Sequence, residues 1–540
     1  MNKTHLFLCK YNTEITAMLR CFDRVIFKGH VRLFSYPAGV RYFVDRVLRI
    51  RRKDVMGWAK AQSERIAAHA KALAEQAGRP YLYLRGHQRK DDLVAGILRT
   101  QRLDQGLVCV LACLEHCPSF RLIHGQGRPD FARATPPALV FYFYWLDPDW
   151  GLLHVRVPSL FPWPVPIAVN GHDYLARQLT RRRLGFVQED NAFVELDDPA
   201  RAQELADGFL REDWGQRLAR MARRFLPLPP DVRCGWGYYG VLDQAEYATD
   251  LVFRSRQALA ELYPRLIDHA VRHFQAPDIL GFLGRRRHVR YDGEVLTTCR
   301  KDRRPGRQGA TRRSPKRAIR QGELASWRIK HRVRNNWLKM YDKRGRVLRV
   351  ETVIHQPQEF RVRRARRRRG RPAMTWCPMN KGVANLYHYQ AVAQAANARY
   401  LQALTAVDPP PATVADLRRL GEPCRHAGRS YAAFNPARPR DLRLLASLCQ
   451  GAHLLRGFRN PDIRPALFAT PAADPREQRR RSAAVGRLLK RLHVRGLLLK
   501  IPHSYRWHLS PRGRELFTQL LQAHHVFTRY IVDHWPLKRL

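Results

Sequence analysis

The sequence predicts a multidomain α+β protein, and three observations lead to this fold class. The chain has 540 residues, which is too many for one ordinary hydrophobic core, so about three or four domains are expected. Hydrophobic residues make up 45% of the chain, a share that is typical of folded domains. Short apolar strands alternate with amphipathic helices through the first half, which indicates a mixed α/β region.

The charge of the chain predicts a polyanionic partner. Lys and Arg number 98 and Asp and Glu number 46, which gives a formal net charge of +52. A protein with this excess is expected to bind nucleic acid. GC-rich codon usage would explain Arg in place of Lys, but it would not explain the small number of acids. DNA is the expected partner, and RNA stays possible because both polymers offer phosphates.

The apolar runs of the chain do not predict a membrane protein. The longest, GLVCVLACL and ALVFYFYWL, are far shorter than the roughly 18 residues of a membrane span. The amino-terminal MNKTHLFLCKYN lacks the apolar core of a signal peptide. We therefore expect a cytoplasmic, nucleoid-associated protein without a membrane partner, whose ten cysteines are reduced thiols. The sequence does not indicate an oligomeric state.

Residues 1–285 are predicted to form the mixed α/β amino-terminal region. The segments Phe22–Gly29 (FDRVIFKG) and Gly106–Leu114 are typical of buried strands, and residues 56–78 of an amphipathic helix that ends at Gly78. FDRVIFKG and ATDLVFRS each place Asp before a short apolar strand and a basic residue. This similarity is a hint of two related halves.

Changes of composition divide the rest of the chain. Residues 286–326 are rich in Arg, Gly and Pro and predict a basic mobile loop that orders on a polyanion. Residues 327–407 combine basic strands with a long helix. Residues 408–440, which include DPPPAT, predict a linker, and residues 441–540 predict a separate small domain.

The stretch WRIKHRVRNNWLKMYDKRGRVLRVET, residues 327–352, predicts a three-stranded antiparallel meander. Basic and apolar residues alternate, as in a strand with one apolar face. We expect a two-residue turn at Asn335-Asn336 and a three-residue turn at residues 343–345. The second turn pairs Met340 with Leu348. The charged face then carries Arg328, Lys330, Arg332, Arg334, Trp337, Lys339, Tyr341, Arg349 and Glu351.

This charged face has the residue types that break a phosphodiester. A phenol with a pKa near 10 is a poor nucleophile at neutral pH, and it needs nearby cations or a metal on the phosphate. Lys330 and Lys339 are the predicted cations beside the candidate nucleophile Tyr341. Glu351 is a candidate ligand for Mg²⁺ or Mn²⁺. On the predicted register, however, Tyr341 and Glu351 lie four residues apart, roughly 14 Å.

Other acids and a histidine are candidates to complete a metal site. Asp23 begins the strand in FDRVIF, and Asp250 begins the strand in DLVF just after Glu246. Acids at strand ends suit metal sites, although capping or pairing with Arg is their commoner role. His154 alternates with a basic residue in GLLHVRV, and it is either a ligand or a hydrogen-bonded sheet residue.

The cysteine spacing does not predict a zinc site. Cys109, Cys113 and Cys117 lie near His116, but no second ligand pair with suitable spacing follows. Cys109 and Cys113 fit a buried strand better. We therefore expect no zinc.

At this point the sequence resembles a known family. Tyr341-Asp342-Lys343 followed by Arg349-Val350-Glu351, within residues 327–362, resembles the second half of trans-acting rolling-circle plasmid replication initiators. The resemblance implies that the tyrosine attacks DNA and becomes joined to the 5′ phosphate while acids hold a metal. The chain departs from this family in its long first half and in its carboxy-terminal region. The implied protein cleaves DNA strands for a mobile element, as a replication initiator or a transposase.

The carboxy-terminal region carries a second resemblance. From about Asp441 the predicted order is three helices, a strand, a turn, a returning strand and a closing helix, with Val485, Leu488, Leu489 and Leu492 as the apolar positions of the third helix. This order resembles winged helix-turn-helix regulators of the multiple-antibiotic-resistance type, in which the third helix enters the major groove. A winged helix used for protein contacts is the alternative. The family layout implies DNA contacts by Ser482, Arg487, Lys490 and Arg491, and by the wing residues His503, Tyr505 and Arg506.

Two other functions stay open at this level. One is a non-enzymatic regulator or architectural protein that uses only the winged helix and the basic sheet. The other is an RNA-binding partner of a structured RNA, which would use the basic segments 299–323 and 361–372. Outside the winged helix, the residues expected to contact nucleic acid are Arg328, Arg332, Arg334, Trp337, Arg349, Arg366, Arg367, Arg368 and Arg369.

Overall fold

The computed structural model confirms a mixed α/β protein with a large mixed sheet. The residues that it describes are 5–85, 88–101, 103–124, 129–227, 239–284, 295–301, 327–368, 371–407, 414–435, 438–502, 504–518 and 520–521.

The strands are named in chain order. They are β1 (Ile15–Gly29), β2 (Tyr81–Tyr83), β3 (Gly106–His116), β4 (Ser119–His124), β5 (Pro129–Ala134), β6 (Pro137–Asp147), β7 (Gly151–Pro158), β8 (Val165–Asn170), β9 (Phe186–Glu189), β10 (Ala192–Leu196), β11 (Tyr239–Phe253), β12 (Val295–Lys301), β13 (Trp327–Val333), β14 (Asn336–Lys343), β15 (Val347–Ile354), β16 (Arg361–Arg368), β17 (Arg371–Pro378), β18 (Cys424–His426), β19 (Arg429–Tyr431), β20 (Leu498–Lys500) and β21 (Trp507–Leu509).

The α-helices follow the same convention. They are α1 (His5–Lys10), α2 (Pro37–Tyr42), α3 (Val55–Gln76), α4 (Lys90–Thr100), α5 (Gly171–Arg181), α6 (Pro199–Asp207), α7 (Trp214–Phe225), α8 (Arg256–His273), α9 (Ala276–Phe282), α10 (Leu386–Leu404), α11 (Val414–Gly421), α12 (Pro439–Leu448), α13 (Gly451–Arg456), α14 (Asn460–Leu467) and α15 (Pro475–His493).

Contacts divide the chain into two compact units, each built from separate stretches of sequence. The first unit comprises Met1–Glu14, Ser255–Arg334 and Ala395–Leu540, and the second comprises Ile15–Arg254 and Asn335–Gln394. The boundaries predicted at 285, 326, 407 and 440 stay predictions. In the second unit, residues that are far apart in the sequence share one sheet.

The sheet of the second unit has the strand order β14-β15-β11-β1-β8-β7-β6-β3-β2. Neighbouring strands run antiparallel except β2 and β3, which are parallel. The predicted strands at Phe22–Gly29 and Gly106–Leu114 lie within β1 and β3, and the predicted helix at residues 56–78 is α3. Gly78, just past α3, has a φ of +60°, a conformation that favours Gly after a helix.

Strands β1 and β11 lie side by side at the centre of this sheet, and a bulge interrupts their pairing. Phe22 is opposite Tyr247, whereas Arg24 is opposite Glu246, so Asp23 is the extra residue. The two similar segments, FDRVIFKG and ATDLVFRS, therefore lie on neighbouring strands. A β-bulge changes the direction of a side chain and is frequent next to functional sites.

The hairpin of β14 and β15 has a different register from the predicted one. Its turn consists of residues 344–346, so Met340 is opposite Val350 and not Leu348. Arg344 and Gly345 have positive φ. The turn therefore lies one residue later than predicted, and each residue of β14 pairs with a residue two positions later on β15. A two-residue shift preserves the faces, because side chains alternate with a period of two. It brings Lys339 opposite Glu351.

The first turn of this segment also begins one residue earlier than predicted. Strand β13 ends at Val333 and β14 begins at Asn336, so Arg334 and Asn335 form the turn, and Arg334 has a φ of 51°. Asn336 is buried, and backbone groups satisfy the hydrogen bonds of its side-chain oxygen. Its Oδ1 accepts from the backbone N–H groups of His355 and Gln356.

Most of the predicted basic loop at 286–326 lies outside the described residues. Residues 295–301 are described, and they form β12, which pairs antiparallel with β13 in the first unit. The linker expected at 408–440 is described from residue 414 to 435 and at 438–440, and it contains α11, β18 and β19. Residues 408–413 also lie outside the described part.

The carboxy-terminal part of the first unit has its own hydrophobic core. Helices α12, α14 and α15, the hairpin β20–β21 and helical residues 511–518 contribute to it. On α15 the four apolar positions expected from the sequence, Val485, Leu488, Leu489 and Leu492, are all buried. None of the helices in the described part of the chain is both long enough and apolar enough to cross a membrane.

Candidate metal centre

Three buried carboxylates from three neighbouring strands converge in the second unit. Asp23 on β1, Glu246 on β11 and Glu351 on β15 each offer an oxygen, and these oxygens lie within 4.8 Å of one another. Such a group could hold a metal ion. Sequence analysis selected Asp23 and Glu351 for this role, and the structure brings them together with Glu246 in place of Asp250.

The registers of the strands explain this convergence. Glu351 is opposite Ala248 on β11 and opposite Lys339 on β14. Because directly opposed residues in an antiparallel pair point to the same face, the small Ala248 leaves space beside Glu351. Glu246 lies two residues before Ala248 and therefore points to this face as well.

The bulged residue Asp23 is held by several donors. Its Oδ1 accepts from Arg349 at 2.9 Å and from the amide nitrogen of Asn191 at 2.6 Å. His172 Nδ1 lies 3.1 Å from the same oxygen. Burial acts to raise the pKa of Asp23, but the charges and hydrogen bonds of Arg349 and His172 hold it well below its usual value. Asp23 is therefore ionised at neutral pH.

Glu351 connects the candidate nucleophile with a lysine. The Tyr341 hydroxyl donates to Oε2 at 2.5 Å, and the Lys339 ammonium donates to Oε1 at 2.7 Å. The corrected register accounts for these contacts, since Tyr341 is opposite Arg349 and thus diagonal to Glu351. The separation of roughly 14 Å that followed from the predicted register was wrong.

The two glutamates of the triad differ in protonation. Burial, with the charges of Glu246 and Asp23, raises the pKa of Glu351 to about 7, although Lys339 opposes this shift. Burial also acts to raise the pKa of Glu246, but the hydrogen bond with Glu351 and the charges of Lys339 and Arg24 lower it to about 2. Near neutral pH Glu246 is therefore ionised, and Glu351 is partly protonated.

The phenol of Tyr341 is not activated in this arrangement. The residue is 6% exposed. Burial and the negative Glu351 hold its pKa well above the ordinary value, and Arg349 opposes them only in part. The expectation that nearby cations make this phenol acidic was wrong, because burial and Glu351 dominate. A proton acceptor is nevertheless in contact with the hydroxyl, and it is Glu351.

The two lysines that were predicted to lie beside Tyr341 occupy different parts of the structure. Lys339 contacts both glutamates, with its Nζ 3.2 Å from Glu246 Oε2. Lys330 lies on β13 in the first unit, opposite Thr298 on β12, and its predicted place beside Tyr341 stays a prediction. The motif residue Lys343 is the lysine near Tyr341, with its Nζ 6.0 Å from the ring centroid. Burial and the charge of Arg349 lower the pKa of Lys343.

Asp250 and Arg349 form a buried ion pair, and this changes both of their predicted roles. The Arg349 Nε and one terminal nitrogen donate to the two oxygens of Asp250, each at 2.6 Å. Asp250 is thus a partner of arginine and lies outside the triad. Arg349 is fully buried, so it does not provide a surface for nucleic acid. The ion pair with Asp250 accounts for the burial of Arg349, because a buried guanidinium requires anionic partners.

His172, on α5, belongs to the same network of buried charged residues. Asn170 caps this helix, and its side chain accepts from the backbone N–H groups of His172 and Asp173. The cap fixes the first turn, and His172 Nε2 lies 3.2 Å from Asp250 and 2.8 Å from Arg349. Burial and the charge of Arg349 act to lower the pKa of His172, but the charge of Cys21 and the hydrogen bonds with Asp23 and Asp250 hold it well above its ordinary value.

The donor set fits a hard divalent cation. All three residues of the triad offer carboxylate oxygens, the ligands that suit Mg²⁺ and Mn²⁺. Two cationic side chains neutralise the glutamates in the structure: Lys339 contacts both of them, and Arg24 Nη2 lies 2.6 Å from Glu246 Oε1. The Arg24 side chain is 49% exposed, which marks the side on which the site meets solvent.

The remaining basic residues of the predicted charged face differ in exposure. Arg332 and Arg334 are exposed, whereas Arg328 and Trp337 are half-buried. Arg366, Arg367 and Arg368 lie on β16, where their backbones pair with Ala373, Pro372 and Arg371. Arg369 lies outside the described residues.

The predicted DNA-facing residues of the carboxy-terminal region fall into two groups. Arg487 and Lys490 on α15 are exposed. Ser482 instead donates to Asn460 on α14. Arg491 donates to the backbone oxygens of Ala432 and Ala433, so its guanidinium is used within the fold.

The turn between β20 and β21 carries the predicted wing residues. Tyr505 is 89% exposed. Arg506 is half-buried and donates to the Gly457 oxygen at 3.4 Å. His503 lies outside the described residues.

The cysteines and the sheet histidine belong to the packing of the second unit. Cys109 and Cys113 are buried on β3, and burial raises the pKa of Cys109 to about 12. Cys117 accepts from Arg156 at 3.3 Å. His154 on β7 lies against Tyr142 and Tyr144. Burial lowers the pKa of His154 to about 4, so its ring is neutral at pH 7.

Sequence reasoning missed several residues of this centre. Glu246 carried a usable signal, because it lies four residues before Asp250 and therefore on the same face of a strand. His172 and Asn191 carried none, because their positions depend on α5 and on the turn between β9 and β10. Lys343 belonged to the quoted motif, but its distance from the Tyr341 ring depends on the shifted hairpin. Comparisons of the chain with models of protein families, with curated proteins and with solved structures give no match.

Proposed function

We propose that this protein cleaves DNA strands in a metal-dependent reaction with Tyr341 as the nucleophile, as a replication initiator or transposase of a mobile element does. One observation carries the proposal. The Tyr341 hydroxyl donates to Glu351, and Glu351 belongs to a buried carboxylate triad inside a chain of net charge +52. A nucleophile, a proton acceptor and a metal-binding group thus meet at one place.

The chemistry assigned to the residues is a transfer of the phosphodiester to the tyrosine. The phenol oxygen attacks the phosphorus, and its proton passes to the Glu351 carboxylate, which already accepts the hydrogen bond of the hydroxyl. The 3′ oxygen of the preceding nucleotide leaves and takes a proton from solvent. The products are a 5′-phosphotyrosine and a free 3′ hydroxyl.

The metal ion and two basic side chains are assigned to the binding of the phosphate and to the stabilisation of the attacking phenolate. Mg²⁺ or Mn²⁺ held by the three carboxylates would neutralise charge on the non-bridging oxygens. Arg24, at the solvent side of the centre, contacts the incoming phosphate. Lys343 lies near the Tyr341 ring and stabilises the phenolate that develops during attack.

Recognition of duplex DNA is assigned to the carboxy-terminal region as a winged helix-turn-helix. The supporting observations are the order of α12, α14, α15 and the hairpin β20–β21 around one core, and the exposed Arg487 and Lys490 on α15. Arg476, Arg479 and Arg480 extend this exposed basic side toward the helix amino terminus. The wing is the β20–β21 turn, with the exposed Tyr505.

A covalent-complex experiment tests the cleavage. A random pool of single-stranded DNA, labelled at the 3′ end, is incubated with the full chain and Mn²⁺ and then separated on a denaturing gel. We expect a labelled protein–DNA band, whereas DNA labelled at the 5′ end gives shortened free strands. Tyr341→Phe abolishes both products.

Tyr142 offers a matched control for this experiment. Its hydroxyl donates to Glu115 at 2.8 Å within the same unit, as that of Tyr341 does to Glu351. Tyr142→Phe should cleave normally. Cleavage that persists in Tyr341→Phe, or that is lost equally in Tyr142→Phe, would contradict the proposal.

The burial of Tyr341 favours a second function. A phenol that is 6% exposed also fits a non-enzymatic winged-helix regulator, in which the triad and the Arg349 network only hold the sheet. This function predicts sequence-specific duplex binding, no covalent band with any DNA pool, and no effect of Tyr341→Phe on binding.

A further inference from the structure

One face of the hairpin of β16 and β17 is exposed at two successive residue pairs. Arg363 is opposite Trp376, and Ala365 is opposite Met374, so these four side chains point to the same side. All four are exposed. Trp376 is 62% exposed and Met374 57%, which is unusual for two large apolar side chains beside each other.

The opposite face of this hairpin is packed. Val362 is opposite Cys377, and both are buried. The backbone N–H of Met379 donates to the Phe360 oxygen at 2.8 Å, which extends the pairing beyond the strands. The hairpin is therefore anchored at its base, and the exposure of Trp376 results from the strict alternation of side chains in a paired strand.

The charge around Trp376 identifies the class of partner. Strand β16 contains six arginines, β17 contains one, and neither contains an acid. Arg361 is exposed, and it donates to the Trp376 backbone oxygen at 3.2 Å. A purely apolar protein partner would have to cover the exposed guanidinium groups of Arg361 and Arg363 at a high desolvation cost, whereas a polyanion complements them.

We propose that this exposed face binds single-stranded nucleic acid, with a base stacked on Trp376 and phosphates held by Arg361 and Arg363. Aromatic residues between cations bind unpaired strands, because every base has a π-face. In a duplex these faces are covered by the neighbouring base pairs. The inference rests on the proposed function, since a tyrosine that cleaves one strand needs that strand unpaired.

The test measures binding of the full chain to a fluorescein-labelled single-stranded oligothymidine by anisotropy, at fixed salt and without a divalent ion. Trp376→Ala should weaken binding by about tenfold to a hundredfold. Trp376→Phe should keep most of the affinity because its ring still stacks. Binding to a duplex of equal length should change less than about twofold in either variant.

Trp327 supplies the matched control, because it is 46% exposed and lies on β13, outside the hairpin. Trp327→Ala should bind the oligothymidine like the unaltered chain. Equal losses in the two alanine variants, or no loss in Trp376→Ala, would overturn the proposal. A loss on duplex as large as on the single strand would assign the hairpin to a groove of the duplex and would also overturn it.

Failure of the proposed function gives a different pattern. If Tyr341 is not the nucleophile, either the Tyr341→Phe variant still cleaves DNA or no form of the protein cleaves it. In both cases Trp376→Ala still binds the oligothymidine more weakly than Trp376→Phe does. If only the stacking surface is wrong, the covalent band depends on Tyr341 and the oligothymidine affinity does not depend on Trp376.

Discussion

The hydroxyl of Tyr341 donates to Glu351 Oε2 at 2.5 Å, and this contact joins the candidate nucleophile to the candidate metal centre. It exists because the β14–β15 turn falls at residues 344–346, which places Tyr341 opposite Arg349 and diagonal to Glu351. Glu351 is also the residue of the triad whose pKa lies near neutrality. The protonation of Glu351 therefore controls both parts of the site.

Metal binding should depend on pH through Glu351. Its pKa of about 7 means that a cation displaces a proton below neutrality, so affinity for Mn²⁺ should rise about tenfold from pH 6 to pH 8 and then level. Glu351→Gln has no proton to release and should bind weakly at every pH. Calorimetric titration of the full chain measures this. Glu115→Gln is the control and should keep the steep dependence, and a flat profile in the unaltered chain would contradict the assignment.

The stability of the metal-free protein should also depend on Glu351. Its folded pKa of about 7 lies above its ordinary value of 4.5, so the folded state holds a proton that the unfolded state releases. The stabilisation is complete below about pH 4 and is lost as the pH rises through about 7. Glu351→Gln, which mimics the protonated acid, should flatten the fall in unfolding free energy between about pH 5 and 8. Denaturant unfolding in the presence of a chelator measures this free energy, and identical pH profiles for the two proteins would argue against a raised pKa of Glu351 in the folded state.

Arg349 should be essential for folding. Arg349→Met leaves Asp250 and Asp23 buried without their guanidinium partner, so we expect a loss of about 3–5 kcal/mol. Arg332→Ala is the control, because Arg332 is exposed and its loss should cost under about 0.5 kcal/mol. Denaturant titration compares the two variants. Similar stabilities would mean that the Arg349 network is not important for the fold.

The exposed basic residues of α15 should contribute to duplex DNA binding, whereas the packed basic residue should contribute to stability. The double change Arg487→Ala and Lys490→Ala should weaken binding about tenfold or more and leave the melting temperature unchanged. Arg491→Ala should lower the melting temperature instead, because Arg491 bonds to Ala432 and lies over the Phe434 ring at 4.2 Å. Anisotropy and thermal melting of the full chain test both. The assignment of α15 to DNA fails if the double variant binds normally.

Salt should reduce nucleic-acid binding strongly. With a net charge of +52, about six to ten phosphate contacts would lower the affinity by roughly 10³ to 10⁵ between 50 and 200 mM salt. The same titration with Trp376→Ala should give an unchanged slope, since stacking releases no counterions. A nearly flat response of the unaltered chain would exclude nucleic acid as its main partner.

The sequence by itself determined the elements whose signals are local. The alternation in WRIKHRV and the apolar spacing on α15 identified β13 and the buried face of that helix, because hydrophobic periodicity depends only on neighbouring residues. It also selected Asp23, Tyr341 and Glu351, since acids and a tyrosine are conspicuous among so many cations.

Only the tertiary structure decided how these residues meet. Arg344, with a positive φ, moved the hairpin by two residues, and the bulge at Asp23 turned that carboxylate toward Glu246. Neither has a sequence signal strong enough to fix the register. Asp250 and Arg349 looked like a metal ligand and a surface contact, yet they are buried as a pair. The physical reason is that the cost of burying a charge depends on partners from distant strands, which local sequence does not specify.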